Sequence, residues 1–450
     1  MRLKHMLFVM IIAVAPSCAI GSKQLADQEQ KSAASKFDAL ATEFIKDHAS
    51  LGVPGHELSF VANLENLKSS DELKRQQIVF QDYDAKLAMI DPSHLGLCDQ
   101  IDYGIMATIV QLGARRAELG LRYLEISQSS EAPRSLYDVP LGGEWYLYYL
   151  AYWNGAELEP DAVFAFGEAA LRKSVAAYDT LQTKIGFAGD DEGFADYLQK
   201  KTLRLDGGTP TQDLFRAKQN RVWANLTRLF PDTYGVSAVE ITQSDRGAAF
   251  AVPGYYDFET RTFFYNLFEP TYEARQADWL FLHEATPGHH FQLTAQRRCA
   301  GKFPGQFFPA YSEGWAAYTE TLGGDLGLYQ MPEEKLAAVE WDMVRSVRVV
   351  LDVALNAYGW SDEQALDYWR KNVKGQRDIA QREIDRMKRW PAQVITYKYG
   401  ADVFQKIKQQ YVNGPEAKID AKLFHGAAIG YGAMPLAVFE NLFSDLVTAD

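Results

Sequence analysis

Pro287-Gly288 sits inside the most chemically loaded stretch of this sequence and constrains its folding more than any other pair. Helical patterning resumes near Tyr272 and runs into His283-Glu284-Ala285-Thr286-Pro287-Gly288-His289-His290, which holds three of the chain's eight histidines. Proline removes a helical hydrogen bond and clashes with the preceding turn, and glycine tolerates unusual dihedrals. A regular helix therefore cannot run through the octet. The pair predicts a local distortion between Thr286 and His289.

The residue types at this break suit a metal. Neutral imidazole is a common zinc ligand, and an adjacent carboxylate can act as a base towards zinc-activated water. The usual metallopeptidase pattern, H-E-x-x-H, puts its histidines one helical turn apart. Here position i+4 from His283 is Pro287, and His289 is six residues on (289 − 283 = 6). Six residues of unbroken helix span about 9 Å along the axis. Two nitrogens sharing one zinc must lie roughly 3 Å apart. The distortion is thus a requirement if His283 and His289 are to share an ion. The competing reading is a buried, hydrogen-bonded His-Glu cluster without metal. Glu313 favours the metal: it lies in Tyr311-Ser312-Glu313-Gly314-Trp315-Ala316, 24 residues after His289 (313 − 289 = 24). A glutamate on a further helix some twenty residues downstream is the gluzincin arrangement. Glu-Gly-Trp-Ala also looks like the Glu-Gly-Phe-Ala of gluzincin aminopeptidases.

The rest of the chain reads as mainly α with a small β-sheet. Helical spacing begins near Phe37 and recurs at Ile105, Ile109, Leu112, Leu119 and Leu121. Gly142 to Asn154 is rich in Tyr and Trp, and Pro160 to Thr183 is Ala-rich. Gly207 to Thr211 reads as a turn with Thr211 as a helix cap. Val236–Thr242, Ala248–Tyr256 and Thr262–Leu267 read as three strands just before the octet. Ser361 with Gln364 reads as a capping box. Residues 35–450 form one large catalytic unit in this reading, with two helical lobes around a cleft as one arrangement.

Arg2 and Lys4 followed by the apolar run Met6–Ala15 read as an export signal, too short to span a bilayer. Residues 1–18 are then the signal peptide and 19–34 a tether or fraying helix. Ala15-Pro16-Ser17-Cys18 resembles a bacterial lipoprotein box, with Cys18 as the lipidated residue and the sole membrane attachment. Ordinary signal cleavage nearby is the alternative. Cys98 and Cys299 could pair in an oxidising periplasm or remain buried thiols. The formal charge is −13. Without Arg2 and Lys4 the count is 46 − 2 = 44 basic against 59 acidic residues. Such a surface repels nucleic-acid phosphates, which makes nucleic acid a poor partner.

With the octet and Glu-Gly-Trp-Ala both present, the chain resembles the bacterial "domain of unknown function 885" family, placed with the zincin-like metallopeptidases. The hallmark His-Glu-Ala-x-Pro-Gly-His-His is intact, and the likeness extends from about Gly142 to Phe424-His425. The resemblance implies a largely helical zincin-like fold with an active-site cleft, a bound Zn2+ and a peptide substrate. It implies His283, His289 and Glu313 as ligands, with His290 as an alternative ligand, and Glu284 as general base. Arg348-Val349-Val350-Leu351-Asp352 matches a family Arg…Asp stretch, and Asn356 stands where members often carry histidine. Pro391-Ala392-Gln393 with Tyr397 and Gly400 matches a Pro-Gly-Gln…Tyr…Gly stretch, with Ala392 in the place of glycine.

Peptide hydrolysis also needs a donor for the developing oxyanion. Tyr397 and His425 are the candidates; the bland alternatives are an aromatic in the cleft wall and a satisfied buried histidine. Arg348 and Asp352 could orient substrate or simply pair along one helix at i, i+4. Thr262–Asn266 could be an edge strand that takes a peptide by β-augmentation, with Asn266 meeting a substrate amide. The sequence thus points to a zinc peptidase of the cell envelope. A peptide-binding or scaffolding lipoprotein with a vestigial zinc site stays open, as does a zinc hydrolase of non-peptide amides or esters.

Overall fold

The Pro332–Asn356 helix is the strut of the molecule. Proline occupies its first turn, where a missing N–H costs nothing. From Leu336 to Asn356 every residue except Asp342 is buried. A helix buried on all sides must be wrapped on all sides, and its buried charged residues, Arg345 and Arg348 among them, need tertiary partners. The helices Pro160–Ile185, Ala277–Glu284, Ala380–Arg389 and Ile395–Lys408 provide that wrapping. The computed structural model describes residues 17–53, 59–126, 133–246, 252–376, 378–415 and 418–448, and gives the backbone alone for 17–27 and 448.

The mainly α architecture with small sheets is as expected, and helices cover most of the described chain. The sheet content differs in detail. β1 (Arg204–Asp206) and β5 (Thr271–Glu273), neither expected, form an antiparallel pair. A second sheet joins β2 (Glu240–Gln243), β3 (Gly254–Asp257) and β4 (Thr262–Tyr265) in the order β2-β4-β3. β4 runs parallel to β2 and antiparallel to β3. The expectation of an edge strand at Thr262–Asn266 is therefore wrong: β4 is the central strand, and β2 and β3 are the edges. Burial explains the order. Phe263 and Tyr265 are wholly buried and pack on Phe215, with ring centroids 5.0 and 5.3 Å apart. Of the strand expected at Ala248–Tyr256, residues 248–251 lie outside the described residues.

The helix Ser17–Ser50 includes the stretch expected as a tether or fraying helix. Its Ala, Gln, Lys and Glu residues are good helix formers. Phe37, Leu40, Ala41 and Phe44 bury against Phe80, Tyr83 and Val110. Residues 1–16 of the expected export signal lie outside the described residues, as does the side chain of Cys18. Thr211 does not cap its helix. That helix begins at Thr209, and the Thr211 hydroxyl donates back to the Asp206 carbonyl (2.8 Å). The capping box at Ser361 and Gln364 is present.

Cys98 and Cys299 form a disulfide. It ties the Leu97–Leu124 helix to the segment that follows the octet. Closing a loop of 201 residues constrains the unfolded chain by about 5 kcal/mol in the chain-entropy treatment.

Candidate metal centre

The Ala277–Glu284 helix delivers His283 and Glu284, then ends. A second helix, His289–Thr294, starts at His289. The distortion expected between Thr286 and His289 is thus a complete break, with a cis Thr286–Pro287 peptide. A Cβ at Gly288 would lie 1.9 Å from the His283 carbonyl oxygen and 2.3 Å from that of Leu282, so no side chain fits at this corner. Neighbouring side chains take up the polar backbone there. The Thr319 hydroxyl donates to the Leu282 carbonyl (2.8 Å), and Trp315 Nε1 donates to the Pro287 carbonyl (2.7 Å).

Glu313 arrives on the Pro309–Thr319 helix. Its neighbour Gly314 lies against Gly400 of the Ile395–Lys408 helix, and a Cβ on Gly314 would fall 2.4 Å from the Gly400 Cα. The two helices therefore cross in backbone contact. That crossing sets Tyr397, one turn before Gly400, within electrostatic reach of Glu313.

The three residues converge. His289 Nε2 is 3.2 Å and His283 Nε2 is 3.4 Å from the same Glu313 oxygen. The ligand atoms of all three lie within 4.8 Å of one another. Donors about 2.0–2.2 Å from a tetrahedral zinc sit roughly 3.3 Å apart, so both histidine–glutamate separations already match. Two imidazoles and one carboxylate with an open fourth side form a donor set typical of catalytic zinc. On its other side, His283 Nδ1 contacts Glu320 (2.8 Å), and Glu320 accepts from Arg345 (2.7 Å). A carboxylate behind a ligating imidazole fixes its tautomer and raises its basicity.

The electrostatics follow from that enclosure. Burial alone would lower the His283 pKa, but hydrogen bonds to Glu313 and Glu320 carry it to about 9. Burial opposes ionisation of Glu313, yet the two histidines hold it well below the usual carboxylate range. Burial pushes Glu284 upward, against the pull of His283 and His289.

The model of the family described as bacterial protein of unknown function, DUF885, matches residues 121–442. That is 442 − 121 + 1 = 322 of 450 residues. The chain belongs to the DUF885 family. Two solved structures resemble this DUF885 protein in fold. A candidate lipoprotein from Colwellia psychrerythraea gives a TM-score of 0.63 at 19% identity, covering 86% of this chain and 72% of that one. A candidate lipoprotein of unknown function from Shewanella oneidensis gives 0.65 at 15% identity, covering 91% and 99%. No curated protein matches the chain.

A cavity of about 410 Å3 opens over the three residues. Glu284, Tyr397, Arg345, Arg348, Arg386 and the β3 residues Gly254 to Tyr256 help to line it. The Asn266 N–H donates to the Pro253 carbonyl (2.8 Å). In the β3–β4 register, alternation then turns Tyr255 towards β4, and Gly254 and Tyr256 outward. The outward N–H of Tyr256 bonds the Glu284 carboxylate.

The remaining sequence candidates divide. Tyr397 is at the site: its ring stacks parallel to His283, centroids 6.2 Å apart, and its hydroxyl accepts from Arg386 (3.4 Å). Arg348 reaches the cavity wall but pairs with Glu383 (2.8 Å), not with Asp352. Asp352 is fully buried away from the cavity, where it accepts from the Tyr146 hydroxyl and the Ala392 N–H. Neither role considered for it holds, because the strut buries it among tertiary partners. Asn266 also misses the cavity; its side-chain amide donates to the Val252 carbonyl (3.2 Å) at the end of β4. His290 lies outside the cluster of donors. Its two ring nitrogens instead meet the Tyr256 hydroxyl (3.1 Å) and the Ser237 carbonyl (2.9 Å). His425 is a satisfied buried histidine, not an oxyanion donor. Its Nδ1 meets the Leu229 carbonyl and its Nε2 the Tyr318 hydroxyl, each at 2.8 Å, and its ring stacks on Phe230.

Glu320, Arg345, Arg386 and Tyr256 are site residues that the sequence reading missed. Glu320 carried a usable signal: it lies two helical turns after Glu313 (320 − 313 = 7) and so on the same face.

Proposed function

We propose that this DUF885 protein is a zinc-dependent hydrolase that cleaves peptide bonds. The observation that carries this reading is the approach of His283 Nε2 and His289 Nε2 to one Glu313 oxygen at 3.4 and 3.2 Å, on a cavity that also holds Glu284. Zinc held by these residues would activate a water and polarise the scissile carbonyl. Glu284 would take the water's proton and pass it to the leaving nitrogen as the C–N bond breaks. Tyr397 accepts from Arg386, which leaves its own hydroxyl proton to donate to the oxyanion. The outward backbone of Gly254 suits an extended peptide laid along β3.

The Cys98–Cys299 disulfide and the likeness in fold to candidate lipoproteins support export to an oxidising compartment. No described helix is long and apolar enough to cross a membrane. Lipid at Cys18 would be the anchor, and Cys18→Ala should release the protein from membranes.

Metal analysis joined to digestion of a peptide library tests the activity. Wild type should hold one zinc per chain and cut peptides. Glu284→Gln should keep its zinc and lose activity by about 10²–10⁴-fold. A metal-free purified protein, or cleavage that survives both chelation and Glu284→Gln, refutes the reading. Acyl amides and esters in the same panel distinguish peptidase from broader hydrolase action.

A further inference from the structure

Three arginines face the cavity, and two of them are matched. Arg345 pairs with Glu320 (2.7 Å) and Arg348 with Glu383 (2.8 Å). Arg386 is different. Its terminal nitrogen donates to the neutral partners Gln393 (2.7 Å) and Tyr397 (3.4 Å), and its Nε is sealed from water without a partner. Among the described residues no carboxylate pairs with it. Glu383, whose charge acts on Arg386 without pairing with it, already serves Arg348 and lies 3.7 Å from Arg382. The guanidinium is half-buried and feels Glu383 and Glu313 only at a distance, without a direct ion pair, and a partly desolvated cation so placed favours a direct anionic partner. The fork of a guanidinium matches a carboxylate in two parallel hydrogen bonds. Its place is informative as well: Arg386 holds the hydroxyl of Tyr397, whose ring stacks on the ligand candidate His283.

We propose that Arg386 anchors a carboxylate of the substrate, so that the preferred substrates are peptides bearing a carboxylate close to the bond cleaved. This rests on the peptidase reading of the same cavity. The carboxylate is either the C-terminal one or an Asp or Glu side chain, and both present the same chemistry to Arg386.

Matched peptides test it on the wild-type protein. One pair differs only in a C-terminal acid against an amide; the other differs only in an internal Glu against Gln. Loss of the anchored carboxylate should lower kcat/KM about 10–100-fold, mainly through KM. An effect in the first pair identifies the C-terminus, and an effect in the second a side chain. No effect in either pair overturns the proposal. Calorimetry on the zinc-free protein supplies a readout independent of turnover. An N-acetyl dipeptide acid should bind at least about tenfold more tightly than its amide. Arg386→Gln should erase that preference and Arg386→Lys should retain part of it; a preference unchanged in Arg386→Gln also overturns the proposal. Discrimination without turnover would mean that the peptidase reading alone has failed. Turnover without discrimination would mean that the anchor alone has failed.

Discussion

His283 and His425 are equally hidden from solvent, with 5% and 0% of their surfaces exposed, yet their surroundings drive them in opposite directions. Carboxylates on both sides of His283 raise its pKa to about 9. Around His425 burial dominates; a carbonyl and a hydroxyl occupy its two nitrogens, and its pKa falls to about 3. One region gathers negative charge that a cation would neutralise, beside an open cavity. The other is a closed hydrogen-bonded packing unit. What sets the candidate metal centre apart is therefore donor capacity facing a space, not burial or histidine content.

The largest effect should come from removing a ligand candidate. His289→Ala should abolish zinc uptake as measured by metal analysis, whereas His425→Gln should leave uptake intact. Equal loss in both would erase the contrast between the two regions.

Acid should act on the second region. The folded chain protonates His425 only near pH 3, whereas the unfolded ring does so near its ordinary pKa of 6.5. Below pH 6.5 the unfolded chain binds the extra proton, so this histidine makes stability fall as pH drops from 6.5 towards 3. The slope is about 1.4 kcal/mol per pH unit. Urea midpoints across that window should be flatter in His425→Gln, and an unchanged slope would count against the closed-unit description.

Glu320→Gln removes a carboxylate behind the candidate metal centre without touching the three donors. Zinc affinity should weaken about 10–100-fold, and competition with a fluorescent chelator can measure it. The smallest change belongs to His290→Asn. With His290 turned towards Tyr256 and Ser237, zinc affinity should stay within about threefold of wild type, whereas a loss on the scale of His289→Ala would restore His290 as a ligand.

Geometry that is set close to the octet was legible. The break at Pro287-Gly288 follows from two residues and a helix dimension, and Glu313 from its spacing. Features fixed by long-range packing were not. The short Gly254–Asp257 segment looks no more like an edge than Thr262–Tyr265; burial of Phe263 and Tyr265 on Phe215 decides their order. Arg348 and Asp352 invite a local pair, but a helix wrapped on all sides gives each a nearer tertiary partner. Arg386 lies 103 residues from His283 (386 − 283 = 103), and only the fold brings them to one cavity.

The Cys98–Cys299 bond divides the site in a further sense. His283 and His289 lie inside the covalent ring that it closes, and Glu313 lies outside. A single proteolytic nick anywhere in the ring would therefore leave all three on one connected molecule. A nick between Cys299 and Glu313 would sever Glu313 from the two histidines and leave only folding contacts to keep it in register.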